Sequence, residues 1–117
     1  MELKHAVAAL SALSHEGRLS VFRMLVKAGP EGIPAGEIAR RLDVPPNTLS
    51  SNLTILSHAN LVTSRREGRS IIYSAQYADM TALLEFLIED CCAGSPEICA
   101  PLARVALDGR CAPGGRA

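Results

Sequence analysis

Apolar residues recur every three or four positions at the start of the chain. Leu3, Val7, Leu10 and Leu13 predict a helix over residues 3–13. Ser14 is placed to cap a second helix, from His15 to about Lys27, with Leu19, Phe22, Met24, Leu25 and Val26 as its apolar positions. Gly29-Pro30 ends it. Residues 34–42 predict a short helix with Pro34 near its first turn and Ile38 and Leu42 facing inward. Asp43-Val44-Pro45-Pro46 cannot continue that helix, and another follows with Leu49, Leu53 and Leu56 as its buried stripe. Two short helices around a tight turn predict a helix-turn-helix.

The period then changes. L-V-T-S-R-R and S-I-I-Y-S are short runs rich in β-branched residues on either side of R-E-G-R, which predicts a β-hairpin with Gly68 in its bend. From about Ala78 the spacing is helical again, with Met80, Leu83, Leu84, Leu87 and Ile88 on one stripe and Cys91 extending it. Pro96 and Pro101 interrupt regularity beyond, and the last eight residues read as a frayed tail. The order is that of a winged helix-turn-helix: mainly α with one β-hairpin. Its first and last helices are free to meet a second copy. The expected division is a DNA-binding and dimerisation domain over residues 1–92 and a tail over 93–117.

Composition narrows this picture. A chain of 117 residues holds one domain, and two Tyr, two Phe and no Trp force an aliphatic core. So small a domain leaves much apolar surface open, which favours a homodimer. The formal net charge is zero, so any attraction for nucleic acid has to be local. Residues 61–75 hold Arg65, Arg66 and Arg69 against Glu67, a net +2, whereas residues 79–97 hold five acids and no Lys or Arg, a net −5. No stretch approaches the roughly 18 apolar residues of a membrane span, and no signal peptide is visible. The expectation is a cytoplasmic protein with no membrane partner, whose cysteines serve a metal or react rather than pair in disulfides.

In a helix-turn-helix the second helix reads base edges from its first turns. Here that surface is Asn47, Thr48, Ser50, Ser51 and Asn52, all short and able to donate and accept. Arg65, Arg66 and Arg69 would hold the backbone phosphates of double-stranded operator DNA from the wing. A Ser/Asn/Thr-rich helix, taken alone, is equally a solvated face, and an Arg-rich hairpin alone is more often a solvated turn than a DNA wing; the order of elements selects the DNA reading. Arg40 and Arg41 are expected on the wet face of the preceding helix. His5, His15 and His58 are scattered and read as surface or cap residues. A winged-helix module that binds protein is a rival, as is a thiol enzyme. The enzyme lacks both patterns it would need, an anion-cradling cysteine loop and a C-x-x-C on a βαβ unit, so no catalytic residue is expected.

The remaining chemistry lies in E-D-C-C-A-G-S-P-E-I-C, residues 89–99. Adjacent α-carbons stand about 3.8 Å apart, below the usual disulfide range of about 4.4–6.8 Å, so a bond between Cys91 and Cys92 would be strained. Two neighbouring thiols grip one soft ion better. Gly94, Ser95 and Pro96 allow Cys99 to fold back as a third. Trivalent arsenic forms three bonds in a pyramid; zinc in a structural site takes four ligands.

Three stretches, L-S-H-E-G-R-L-S-V-F-R-M-L, G-E-I-A-R-R-L-D-V-P-P-N-T-L-S-S-N-L-T-I-L-S-H-A-N-L-V and R-E-G-R-S-I-I-Y-S, occur in order over about residues 8–90. In them the chain resembles the ArsR/SmtB family of metal-responsive repressors. The resemblance implies a homodimer paired through its end helices, operator binding through the helix beginning near Asn47, and the hairpin as wing. One arsenic-sensing branch carries Cys-Val-Cys on the first helix of the helix-turn-helix, where this chain has Ile38-Ala39-Arg40-Arg41. Another branch ends its last helix with Cys-Cys and places a third Cys after a short loop. By that likeness Cys91, Cys92 and Cys99 are the ligands of arsenite, As(III), or antimonite, Sb(III), as inducer, and no organic cofactor is implied. The zinc branch uses Asp and His on the last helix; Asp79 and Asp90 are present here, but no His. Cys111 is expected to be a non-ligand. An organoarsenical, another soft ion or thiol oxidation remain alternative signals.

Overall fold

In a computed structural model, residues 1–89 together with Glu97, Ala100 and Pro101 are described. The elements run α1 (Leu3–Leu13), α2 (Glu16–Ala28), β1 (Ile33–Pro34), α3 (Ala35–Leu42), α4 (Pro46–His58), β2 (Val62–Glu67), β3 (Ser70–Ala75) and α5 (Tyr77–Ile88). The chain divides into two compact units, Met1–Leu83 and Leu84–Ala117. The expected boundary at residue 92 lies outside the described residues, as do Cys91, Cys92, Cys99 and Cys111. Pro101, expected to interrupt regularity, lies in helical backbone.

The core of the first unit is aliphatic apart from Phe22. Val21, Leu25, Ile38, Leu53, Leu56 and Leu61 are its largest fully buried side chains, from α2, α3, α4 and the segment that follows. Burying a side chain of this size contributes about 1.5–3 kcal/mol. On α1 the buried residues are Ala6, Ala9 and Ala12, while Leu3, Val7 and Leu10 are 68, 57 and 42% exposed. Alanine brings the α1 backbone close to α2 and α4 and leaves the larger side chains outward. On α5 only Leu83 is buried; Leu84 and Leu87 are half exposed.

Ser14 does not cap α2. Its hydroxyl donates to the carbonyl of Ser11 (3.1 Å), at the end of α1. His15 is the N-cap of α2 instead: its Nδ1 accepts from the Arg18 N–H at 3.3 Å, and the Arg18 Nε donates to the Ala12 carbonyl at 2.6 Å. The junction of α1 and α2 is thus held from both sides. Replacing His15 with Ala is expected to lower stability by about 1 kcal/mol in denaturant unfolding, since removing an N-cap leaves a helix N–H without its acceptor.

The period-2 runs form the expected hairpin, with Val62 opposite Ala75 and Glu67 opposite Ser70, and Gly68 at φ 62° in the two-residue bend. A strand not expected from the sequence, β1, adds to the other edge of β3, giving the order β1-β3-β2. It is only Ile33–Pro34, too short for any alternation to show. Gly32 brings it there. At φ 76° it follows a turn in which its N–H meets the Gly29 carbonyl (3.1 Å), and a β-carbon on Gly32 would lie 2.4 Å from the Tyr73 carbonyl oxygen. The Tyr77 hydroxyl ties down the end of α2, donating toward the carbonyls of Val26 (3.0 Å) and Leu25 (3.4 Å). Partial burial raises the Tyr77 pKa above the usual phenol value.

Candidate nucleic-acid interface

The turn between α3 and α4 is three residues long, and each is chosen by its backbone. Asp43 takes the left-handed conformation (φ 54°), which short polar side chains tolerate best after glycine. Its N–H meets the Arg40 carbonyl at 3.3 Å and that of Val44 meets the Ala39 carbonyl at 3.1 Å, which closes α3. Pro45 and Pro46 then fix φ at values suited to a helix start, so α4 begins at Pro46, earlier than its apolar stripe alone indicates.

On α4, Asn47, Thr48, Ser50 and Ser51 are exposed. Asn52 departs from the expectation: it is 8% exposed, on the same stripe as Leu49, Leu53 and Leu56. A β-carbon on Gly17 would lie 3.2 Å from its Nδ2, so the start of α2 approaches α4 closely here. The spacing carried the signal, because Asn52 stands three residues after Leu49 and four before Leu56. A polar side chain at such a position faces inward with its neighbours.

Arg40 and Arg41 are exposed at the end of α3, as expected, and share one acid. Glu37 pairs with Arg40 and, at 2.7 Å, with the Nε of Arg41. The hydrogen bonds from Arg40 and Arg41 hold the Glu37 carboxyl down to about 2, from 4.5.

The three arginines of the wing are not equivalent. Arg65 and Arg66 lie on β2 and point to opposite faces, opposite Ile72 and Ile71 of β3. Arg65 is engaged within the protein: Nε donates to the Glu67 carboxylate (2.7 Å) and Nη2 to the Glu31 carbonyl (2.7 Å). It ties the wing to the loop before β1. The Arg66 and Arg69 side chains have no such partner among the described residues and project into solvent. An exposed helix of short donors and acceptors together with a hairpin that carries two uncommitted guanidinium groups can meet base edges and phosphates together. Among the described residues no three His, Cys, Asp or Glu side chains converge as a metal site, and no helix is long and apolar enough to cross a membrane.

The helix-turn-helix domain family matches residues 13–65. The transcriptional activator HlyU of Vibrio cholerae is 30% identical over 82 residues, which cover 70% of this chain and 73% of that protein. The solution structure of a homodimeric winged helix-turn-helix domain from Mycobacterium bovis, described as a possible ArsR-family transcriptional regulator, superposes with a TM-score of 0.60 at 26% identity, covering 75% of this chain and 82% of that one. The chain belongs to the ArsR family. A putative arsenical resistance operon repressor from Halobacterium salinarum is 39% identical over 67 residues, 57% of this chain and 51% of that protein. The protein is thus a winged helix-turn-helix transcription factor, and these relatives are regulators of transcription rather than enzymes.

Proposed function

We propose that the protein is an arsenite-responsive transcriptional repressor that binds operator DNA as a homodimer and releases it when Cys91, Cys92 and Cys99 bind the metalloid as thiolates. The observation that carries this reading is the spacing of three thiols in nine residues of sequence, the first of them three residues beyond Ile88. Soft donors in that number suit a three-coordinate thiophile. The likeness to the putative arsenical resistance repressor supports it.

The dimer reading rests on the outward stripe of Leu3, Val7 and Leu10 on α1, on exposed Leu84 and Leu87, and on the homodimeric Mycobacterium bovis relative. Two copies of α4 would then enter successive major grooves about one helical turn apart, which favours a palindromic operator. Asn47, Thr48, Ser50 and Ser51 read bases; Arg66 and Arg69 hold phosphates. Cys91 follows Ile88 by three residues in the sequence, and thiol binding there couples to the dimer through α5. A 100-fold loss of operator affinity needs only about 2.7 kcal/mol of such coupling.

Arsenic-edge absorption on the loaded protein tests the ligand set: three sulfur neighbours are expected, and oxygen or nitrogen neighbours in their place would refute it. A gel shift tests the wing. Arg66→Ala is expected to weaken binding and to flatten its salt dependence by about 0.9 for each phosphate it no longer neutralises. Arg65→Ala is expected to lower affinity without that change of slope, because its guanidinium serves Glu31 and Glu67. HlyU is named a transcriptional activator, which favours a second reading, in which the same DNA contacts raise transcription. A reporter fused to the operator separates the two by the sign of its response to deletion of the regulator.

A further inference from the structure

A groove of about 380 Å³ runs along the seam of α2 and α3, lined by Ser20, Arg23, Met24, Lys27, Ala28 and Arg41. The α2 members fall at intervals of three and four residues, so they form one stripe on the helix, beside the buried stripe of Val21, Phe22 and Leu25. Ser20, Arg23, Lys27 and Arg41 are all exposed. Among the described residues the side chains of Arg23 and Lys27 have no ion pair, unlike Arg40, Arg41 and Arg65, which each face a carboxylate. Arg41 gives only its Nε to Glu37, and that single acid is shared with Arg40. The seam therefore carries a surplus of positive charge in a chain whose formal total is zero.

The groove does not end at Ser20. That residue also lines a narrower crevice with Gly17, Val21, Leu42, Val44 and Asn52, which reaches the helix-turn-helix turn and the flank of α4. The crevice is mostly apolar and meets the inward side of α4 at Asn52, and the hydroxyl, guanidinium and ammonium groups lie on the far side of Ser20 along the groove. From Ser20 to Lys27 the stripe rises about 10 Å, close to the rise of three nucleotides along one DNA strand. Guanidinium groups bind phosphate in bidentate fashion, Lys binds it as a point charge, and a Ser hydroxyl donates to it.

We infer that the α2–α3 seam is a second phosphate-binding track, in which Ser20, Arg23, Lys27 and Arg41 hold backbone phosphates of the operator outside the segment read by α4. This deepens the DNA-binding reading and rests on it. The track lengthens the footprint of each subunit and adds affinity without adding base preference.

The probe is a duplex of about four helical turns, roughly 40 base pairs, that the wild-type protein selects from a random pool. The Arg23→Ala/Lys27→Ala variant is expected to bind it with a salt slope reduced by about 1.8 per bound subunit, at about 0.9 for each of two phosphates. Its base preference is expected to match the wild type. On a duplex trimmed at both flanks the two proteins are expected to bind alike. Both residues are exposed and make no ion pair among the described residues, so the melting temperature of the variant is expected to be unchanged. Equal slopes on the long duplex overturn the proposal. So does a groove that responds only to inorganic phosphate or pyrophosphate, seen as amide shifts at Ser20 and Arg23 with operator binding unaffected. If Arg66→Ala and Arg69→Ala flatten the slope while the seam variant does not, the track alone fails. If wild type selects no duplex, the DNA-binding reading fails and the track with it.

Discussion

Serine in place of Cys91, Cys92 and Cys99 is expected to leave operator affinity intact and to abolish its loss on adding arsenite. Wild type should lose about 100-fold in affinity, within the roughly 5–150-fold that allosteric coupling of about 1–3 kcal/mol allows. The variant should lose none, because a serine hydroxyl is a hard, neutral donor and cannot replace a thiolate toward a soft ion. Single changes sharpen the result. Cys92→Ser should remove one arsenic per subunit in native mass spectrometry, whereas Cys111→Ser should change nothing. Release of duplex by arsenite from the triple variant would end the proposed mechanism. Release by peroxide alone, or by cadmium at lower concentration than arsenite, would replace the inducer while keeping the thiols.

Alanine at Gly32 is expected to destabilise the fold by roughly 2–4 kcal/mol in denaturant unfolding, a large effect for one methyl group. Two causes add. The residue sits at φ 76°, where an L side chain costs about 1–2 kcal/mol. The new β-carbon would also lie 2.4 Å from the Tyr73 carbonyl oxygen, which is backbone and cannot swing aside. Relief requires β1 to lift from β3. That movement also displaces the Glu31 carbonyl, which accepts from Arg65, so the wing should loosen as well. A stable Gly32→Ala protein with unchanged wing amide exchange would contradict this account. Gly29 is the control: it too has positive φ, but nothing lies within 4 Å of a β-carbon there, so only the conformational penalty is expected.

The helices were legible because their apolar spacing repeats over several turns. Leu3–Leu13 has the bounds its pattern predicts, and the hairpin strands fall within one residue of theirs, since period-2 runs around a glycine bend allow few other shapes. What was not legible depended on partners far along the chain. Ser14 and His15 both suit a cap, and only the placement of α1 against α2 assigns the role to His15. Three wing arginines look alike in sequence; the Glu31 carbonyl, 34 residues from Arg65, distinguishes that one from the other two. For Asn52 the side chain's chemistry suggested a base reader, when its spacing was the better guide.

The order of elements, the helix-turn-helix and its wing, and the cluster of thiols follow from local periodicity or from residues adjacent in the chain. Tertiary structure decided which face of each element meets solvent. It turned Ala6, Ala9 and Ala12 of α1 inward and Leu3, Val7 and Leu10 outward, buried Asn52, engaged Arg65 and joined Arg23, Lys27 and Arg41 along one seam. Those outcomes depend on how closely separate helices approach, a distance that no stretch of one helix encodes alone.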